Sequence, residues 1–221
     1  MKKQLFPLVT ADIALFTLIE ERLSVLLVQR ANEPFIGQWA IPGGVLDPST
    51  DSDLEQTARR ILQSKINVKP GHLEQVKTVS GAVRDPRGWS ISILFSALLP
   101  ADQVPAVVGD KTQAVQWCDP QNCGHKLAFD HQELLEAALE GLRKKVRNRA
   151  LPLHLLPSKF TLTQVQRVCE RVLGQELDKG TFRRQLRENA DLVELEGEYV
   201  RGAQRPAQLY TAAPGFVFKD A

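Results

Sequence analysis

Apolar residues arrive first in two dense runs, LVTADIALFTLIE and LSVLLVQR, parted by the polar Glu20, Glu21 and Arg22. Runs of this length around a short polar break predict two strands joined as a hairpin. A loop follows at ANEPFIGQ, and then the segment WAIPGG. Leu54, Ala58, Ile61, Leu62 and Ile66 recur at intervals of three and four, which predicts an amphipathic helix from about Asp53 to Ser64. Two further strands are expected around Leu73 to Val83 and Trp89 to Leu98. The second alternates Trp89, Ile91, Ile93 and Phe95, and a DPRG turn lies between them. AVQWC reads as a short strand before the polar loop DPQNCGHK. In AFDHQELLEAALEGLRKKV, Asp130 and Glu133 form a capping-box pattern, and Leu135, Leu139, Leu142 and Val146 line one face of the helix it starts.

That helix is expected to close a first domain at residues 1–149, with the two-proline segment RNRALPLHLLPSK as the linker. In residues 150–221 the pattern changes. Thr163 with Gln166 is read as the cap of a helix carrying Val165, Val168, Cys169 and Val172 and ending at Gly174. Asp178 starts a second helix, DKGTFRRQLREN, with Phe182 and Leu186 as its buried stripe. Strands at LVELEG and AQLYTAA flank a basic loop, YVRGAQRPA. Two short helices, a tight turn and a two-stranded hairpin are the order of a winged helix-turn-helix. No internal repeat or low-complexity segment is present.

Charge sharpens this division. The 221 residues carry a formal net charge of +2, yet from Arg143 onward there are 15 Lys and Arg against 9 Asp and Glu, leaving 13 against 17 before it. A basic second module beside an acidic first one fits a polyanion partner for the second alone. No apolar run reaches the roughly 18 residues of a membrane span, and no secretory leader is expected, since Pro7 and Asp12 interrupt the first run. Three cysteines without such a leader point to a reducing cytoplasm and not to a disulfide framework. Cys118, Cys123 and His125 lie close together, but their spacing fits no zinc pattern; Cys169 falls on an apolar helix face.

The stretch GGVLDPSTDSDLEQTARRILQSKINV, from Gly43 to Val68, resembles the signature of the Nudix hydrolases. In that family a helix beginning Arg-Glu-apolar-x-Glu-Glu-x-Gly-apolar places carboxylates at relative positions i, i+3 and i+4 on one face, where they hold Mg²⁺ against a diphosphate. The metal offsets substrate charge and polarises the attacking water. Here the matching run is Arg60 to Val68, and the three acids are replaced by Ile61, Ser64 and Lys65. A lysine beside the metal position repels a cation. No catalytic residue and no metal ligand is therefore assigned. Asp47, Asp51, Asp53 and Glu55 are the acids from which a rearranged site would have to be built; otherwise they serve the helix N-terminus. Lys65, Arg59 and Arg60 are expected to meet a diphosphate without activating water.

Across nearly the whole chain the sequence is similar to the NrtR family, the Nudix-related transcriptional regulators of NAD metabolism. The likeness rests on WAIPGG at Trp39–Gly44, DPRG at Asp85–Gly88, LAFDH at Leu127–His131, LDKGTFRR at Leu177–Arg184 and RPAQLY at Arg205–Tyr210, in that order. The resemblance implies an α/β (α+β) protein, a Nudix-like α/β/α sandwich followed by a winged helix-turn-helix. It implies a homodimer that represses NAD biosynthesis or salvage genes, binds double-stranded operator DNA, needs no cofactor, and takes ADP-ribose or a related NAD-derived nucleotide as effector. It makes Arg30, Gly43, Gly44, Asp85, Arg87 and His131 candidates for the ligand pocket. The helix-turn-helix pattern puts Lys179, Thr181, Arg183, Arg184 and Arg187 toward the major groove, with Arg201 and Arg205 on the wing. Two other readings stay open: an active Nudix ADP-ribose pyrophosphatase with a nucleic-acid-binding tail, and a regulator of the same build that senses a different ligand such as a sugar phosphate.

Overall fold

The first apolar run is buried on both faces, as a near-continuous hydrophobic strand requires. In the computed structural model, which describes residues 6–104, 114–200 and 206–219, this run is β1 (Leu8–Ile19). It turns through Glu20 and Glu21, both at positive φ, into β2 (Arg22–Gln29), its antiparallel partner. Two short strands follow, β3 (Trp39–Ala40) on β2 and β4 (Gly43–Val45) on β1. β5 (His72–Gly81) and β6 (Ser90–Leu98) form a second hairpin, and β6 runs parallel to β1. β7 (Val115–Cys118) pairs with β2.

Alternate residues of this sheet feed two cores. Ile13, Leu15, Ile93 and Phe95 face α1 (Leu54–Ile66) and pack on Ala58, Ile61 and Leu62. Phe16, Val25, Leu94 and Leu98 face α2 (His131–Arg147) and pack on Leu135, Leu139, Leu142 and Val146. Helix, sheet and helix make the expected α/β/α sandwich. No helix among the described residues is long and apolar enough to cross a membrane.

Three contacts fix α1. Asp53 caps it by accepting from the Gln56 backbone N–H at 2.7 Å. Asn67 ends it in the left-handed conformation (φ 53°), at the place where the Nudix signature has glycine; asparagine tolerates that geometry. Asp51, its carboxylate buried, accepts from Arg60 Nε and Nη2 at 2.6 and 2.7 Å, from Thr57 Oγ1 at 2.9 Å and from the Asp47 N–H at 3.0 Å. The loop before the helix is thus clamped to its side.

The second module is also built as expected, with one correction of detail. α3 (Leu162–Leu173) is capped by Thr161 and Gln164, two residues earlier than the pattern at Thr163 and Gln166 indicated; Gln166 instead bonds Glu170 Oε1 and the Leu177 carbonyl. Both pairs fit S/T-x-x-Q, and the chain uses the first, with Val165, Val168, Cys169 and Val172 on the buried face as expected. α4 (Lys179–Arg187) starts at Asp178, and β8 (Leu192–Val200) pairs with β9 (Ala207–Ala212) as the wing hairpin. Phe160 pairs with Tyr210 on the other side of β9.

The segment read as a linker is not a solvated one. Ala150, Leu151, Leu153, Leu155 and Leu156 are all buried and join the α2 core to α3 and to Phe218 near the C-terminus. Its prolines shape a short 3-10 turn at Leu153–Leu155, and the apolar residues between them fill the space between the two modules. The second core and the winged helix are one continuous cluster.

Two consequences are testable. Leu155→Ala should cost about 3 kcal/mol and, since the core is shared, calorimetry should show one transition moved down and not a lone winged-helix transition splitting off. Asp51, held well below the usual carboxylate range chiefly by Arg60, contributes stability that is complete above the unfolded-state value of about 4 and declines as pH falls toward the folded-state value. The melting difference between the wild type and Asp51→Asn should therefore be largest near neutral pH and narrow below about pH 4; a difference that stays constant down that range would contradict the clamp's role.

Candidate functional site

Sequence puts a lone carboxylate, Asp12, in the middle of an apolar strand, and burying such a group demands partners. It finds them on three sides. Ser92 Oγ donates to Oδ2 at 2.5 Å, Thr10 Oγ1 lies 3.5 Å from the same oxygen, and His131 Nε2 is 3.5 Å from Oδ1. On the fourth side sits Gly43. A Cβ there would fall 1.9 Å from Asp12 Oδ1, so any other residue would displace the carboxylate. Gly44 lies over Ile61, where a Cβ would come within 3.1 Å of the side chain.

This group is the floor of a cavity of about 210 Å³. Its walls come from the end of β2 (Arg30 and the Asn32–Glu33 loop), from β4, from the β5–β6 loop (Arg84, Asp85, Arg87), from the start of α2 (Phe129, His131) and from Lys65 in the last turn of α1. Six residues picked out by resemblance, Arg30, Gly43, Gly44, Asp85, Arg87 and His131, meet here together with Lys65. Asp12, Arg84 and Phe129 were missed. The interrupted apolar run was a signal for Asp12; nothing local marks the other two.

The basic wall is held in place by acids. Arg84 donates Nε and Nη2 to Asp130 at 2.9 and 2.8 Å, and Nη1 to Ser90 Oγ at 3.1 Å. This corrects the expected capping box: Asp130 stands at the N-cap of α2 but makes no side-chain cap bond, since its carboxylate is turned to the guanidinium. Arg87 pairs with Asp85, which is buried and ionised below the usual carboxylate range: burial opposes this, and the Arg87 hydrogen bonds outweigh it. Arg30 donates Nε to the Pro34 carbonyl at 2.7 Å and lies 4.6 Å from the centre of the Phe129 ring, which meets Phe35 edge-on at 4.8 Å. Burial, aided by Arg87, pulls Arg30 below its ordinary value, while Asp12 and Asp85 pull it up. His131 is likewise lowered by burial against the pull of Asp12, which favours the neutral ring. Its Nδ1 is buried without a hydrogen-bond partner among the described residues.

The Nudix frame is preserved around this cavity. Ile61 is buried beneath Gly44, Ser64 lies near the Ile61 carbonyl at 3.3 Å, and Lys65 reaches the cavity wall. The nearby acids have other uses. Asp47 accepts from Ser49, Asp51 from Arg60, Asp53 caps the helix and Glu55 pairs with Arg59 at 2.8 Å. Two of the expected diphosphate cations are not among the residues lining the cavity. Arg59 projects into a separate groove beside Leu73 and Gln75, and Arg60 is engaged by Asp51 and the Val45 carbonyl. Helical spacing explains the split, for Ile61 and Lys65 share a face that Arg59 and Arg60 do not.

In the second module Lys179, Thr181, Arg184 and Arg187 are exposed on α4, while Leu186 is buried and Phe182 half-buried on its inner side. Arg183 differs from its neighbours. It is half-buried, and its Nη2 donates to Thr163 Oγ1 at 3.0 Å, bracing α4 against α3. Arg201 and Arg205 lie outside the described residues.

Comparisons with known proteins agree with this architecture. A model of the NUDIX domain matches residues 9–138, and one of the NrtR DNA-binding winged helix domain matches residues 152–212. The ADPR responsive transcriptional repressor NtrR of Acinetobacter baylyi is 39% identical over 208 residues, covering 94% of this chain and 82% of that protein. The crystal structure of Shewanella oneidensis NrtR complexed with a 27mer DNA superimposes with a TM-score of 0.82 at 37% identity, covering 93% of each chain. The NUDIX domain of the same Shewanella protein, complexed with ADP ribose, matches at 40% identity with a TM-score of 0.58, covering 62% of this chain and 89% of that one. With both domains matched in order and the likeness running through nearly its whole length, the chain belongs to the NrtR family.

Proposed function

We propose that this protein is a DNA-binding transcriptional repressor of NAD biosynthesis or salvage genes, and that its Nudix domain binds ADP-ribose or a close NAD-derived nucleotide without cleaving it. The observation that carries the second part is Lys65 on the wall of the cavity, at a position where the Nudix signature has a metal-binding carboxylate. A fixed ammonium supplies positive charge to a diphosphate, but it cannot lower the pKa of a water as a metal does. The nucleotide is kept and its bond stays whole.

Each wall has a use in this reading. Arg30, Arg87 and Lys65 face the diphosphate, with Asp85 setting the orientation of Arg87. Guanidinium forks suit phosphate oxygens, and the partly desolvated Arg30 gains most from an anionic partner. His131 Nδ1 is a buried polar atom that a ligand oxygen would satisfy. Gly43 keeps Asp12 in place at the floor. Arg59 and Arg60 are assigned no ligand contact; Arg60 holds the loop that carries Asp51.

On DNA, Lys179, Thr181, Arg184 and Arg187 present their side chains to the major groove from the exposed face of α4, and Arg183 serves mainly to set that helix. Arg201 and Arg205, between β8 and β9 in the sequence, are assigned contacts to the DNA backbone or minor groove. One module of this size makes few contacts. A cytoplasmic homodimer on a palindrome, with half-sites about one or two helical turns apart, supplies the rest. The relatives that carry the same two domains are respectively called ADPR-responsive and seen with DNA, which supports joining the two activities in one chain.

Calorimetry with ADP-ribose in the presence of a chelator should give a binding isotherm, and incubation with Mg²⁺ should release no AMP; AMP release would favour the hydrolase reading. Arg30→Ala should weaken that binding roughly 10- to 100-fold, and Lys65→Glu should weaken it in chelator and make it respond to added Mg²⁺. In mobility shifts with the upstream region of NAD salvage genes, ADP-ribose should change DNA affinity. Arg184→Ala and Arg187→Ala should each reduce that affinity, and a variant that removes a phosphate contact should lower the salt slope by about one.

A further inference from the structure

Two of the three cysteines, Cys118 and Cys123, take no part in the pocket or in the DNA-facing surface. β7 ends at Cys118, and the chain then turns tightly through Asp119–Asn122, closed by the Asn122 N–H donating to the Asp119 carbonyl at 3.1 Å. Asp119 and Asn122 pair as an antiparallel bridge. Cys118 and Cys123 are the next residues outward. They flank that bridge on its two sides, and the positions next to a hydrogen-bonded antiparallel pair have Cα atoms about 4.5 Å apart when the pairing continues, inside the span a disulfide accepts. Cys118 Sγ donates to the Val25 carbonyl at 3.8 Å and Cys123 Sγ to the Asp119 carbonyl, next to Cys118 in the chain, at 3.2 Å. His125 is engaged elsewhere, stacked on Trp39 with ring centroids 5.1 Å apart and with its Nε2 2.9 Å from Gln116 Oε1.

The position of this turn connects the pair to the rest of the chain. Arg143 of α2 donates Nη2 to Gln121 Oε1 at 2.7 Å, in the middle of the turn, and Nε to the Val172 carbonyl at 2.9 Å, in the last turn of α3. One guanidinium therefore ties the cysteine turn to the winged helix. On its other side the chain runs from Cys123 through Leu127, bridged to Trp39, to Phe129 and His131 of the pocket.

We propose that Cys118 and Cys123 form a reversible dithiol–disulfide couple, oxidised by a small peroxide, that alters DNA affinity through the Gln121–Arg143–Val172 connection. The thiol chemistry stands by itself; its effect on DNA rests on the repressor reading above. Interaction between the two thiols holds Cys123 below the ordinary range and pushes Cys118 above it. Cys123, as thiolate, attacks one peroxide oxygen and the O–O bond breaks. The departing hydroxide takes up the proton that Cys123 released, giving water and a sulfenic acid. Cys118 sulfur then attacks that sulfur, the S–O bond breaks, and the second hydroxide leaves as water with the Cys118 proton. Each sulfur gives up one electron and the peroxide accepts two. A resolving thiol already in contact favours the disulfide over further oxidation, and in a reducing compartment such pairs are transient and redox-sensing. Cys169, almost fully buried in the shared core and raised above the ordinary thiol range by that burial, has no partner cysteine and serves as an internal reference.

The full chain is treated with hydrogen peroxide, quenched, denatured and alkylated, and its peptides are weighed. The expected result is loss of two alkylatable thiols, a Cys118–Cys123 linkage, retention of Cys169, and reversal by dithiothreitol. Sulfinic acid at either residue without a linkage, or no reaction there, overturns the couple. Mobility shifts of reduced and oxidised protein should differ at least about fivefold in apparent affinity. Cys118→Ser and Cys123→Ser should abolish that difference, and Arg143→Ala should keep the disulfide while shrinking it. An equal shift in the serine variants, or a full shift in Arg143→Ala, overturns the assigned route. If the reduced protein binds no operator at all, the repressor reading fails while the thiol result still decides the couple.

Discussion

Everything functional in this chain depends on α2 being packed on two sides at once. One face of the helix covers the sheet through Leu135, Leu139 and Leu142, and the same cluster continues into α3 through Val165, Val168 and Val172. Its first turn carries His131 at the pocket, and Asp130, just before it, holds Arg84. Its C-terminal half carries Arg143, bonded to the end of α3. Seventeen residues at 1.5 Å each span about 25 Å. A single rigid element thus joins the cavity proposed to hold a nucleotide to the place where the winged helix begins, and the buried segment at Leu151–Leu156 fills the joint instead of loosening it.

The chemistry of the pocket follows from a change of residues within an unchanged frame. Gly44 still rests on the helix, Asn67 still ends it in the left-handed conformation, and the loop ahead of it is still anchored. Anchoring now falls to an internal ion pair, Asp51 with Arg60. In an active Nudix box the carboxylates on the helix are neutralised by an added metal. Here Ile61 is absorbed by the core, Ser64 turns to the Ile61 carbonyl, and Lys65 puts a basic side chain on the cavity wall. On the proposed reading, binding draws on this cation instead of one from solution, and no water is polarised for attack.

Much of this was legible in the sequence, and the failures share a cause. The longer strands, α1, α4 and the wing hairpin follow from periodicity and turn residues, which act locally; the short β3 and β4 were not read from the sequence. Seven of the nine ligand candidates line one cavity, mostly because the family likeness pointed to them. What sequence could not show was competition for a side chain. Asp130 has every local feature of a cap, yet Arg84, distant in sequence, takes its carboxylate. Arg60 looks like an exposed cation until Asp51 is seen beside it. Arg183 looks like its neighbours on α4, and is instead bonded to Thr163. The apolar residues between two prolines read as a linker because prolines break local structure; that Leu153 and Leu155 are buried depends on surfaces from both modules.

A shared core also limits how a ligand can act on DNA. Because no soft linker separates the modules, nucleotide binding cannot free the winged helix to tumble; it has to tilt a stiff joint. That is sufficient when two copies must meet a fixed spacing. A rotation of about 7° over a lever of about 25 Å moves the far end by about 3 Å, close to the 3.4 Å rise of one base pair. In a homodimer both arms move, so a change too small to disturb the packing of either module displaces the recognition helices relative to one another by more than one step along the groove. Whatever factor the ligand applies to DNA affinity, DNA must apply equally to ligand affinity, since both act on the same joint.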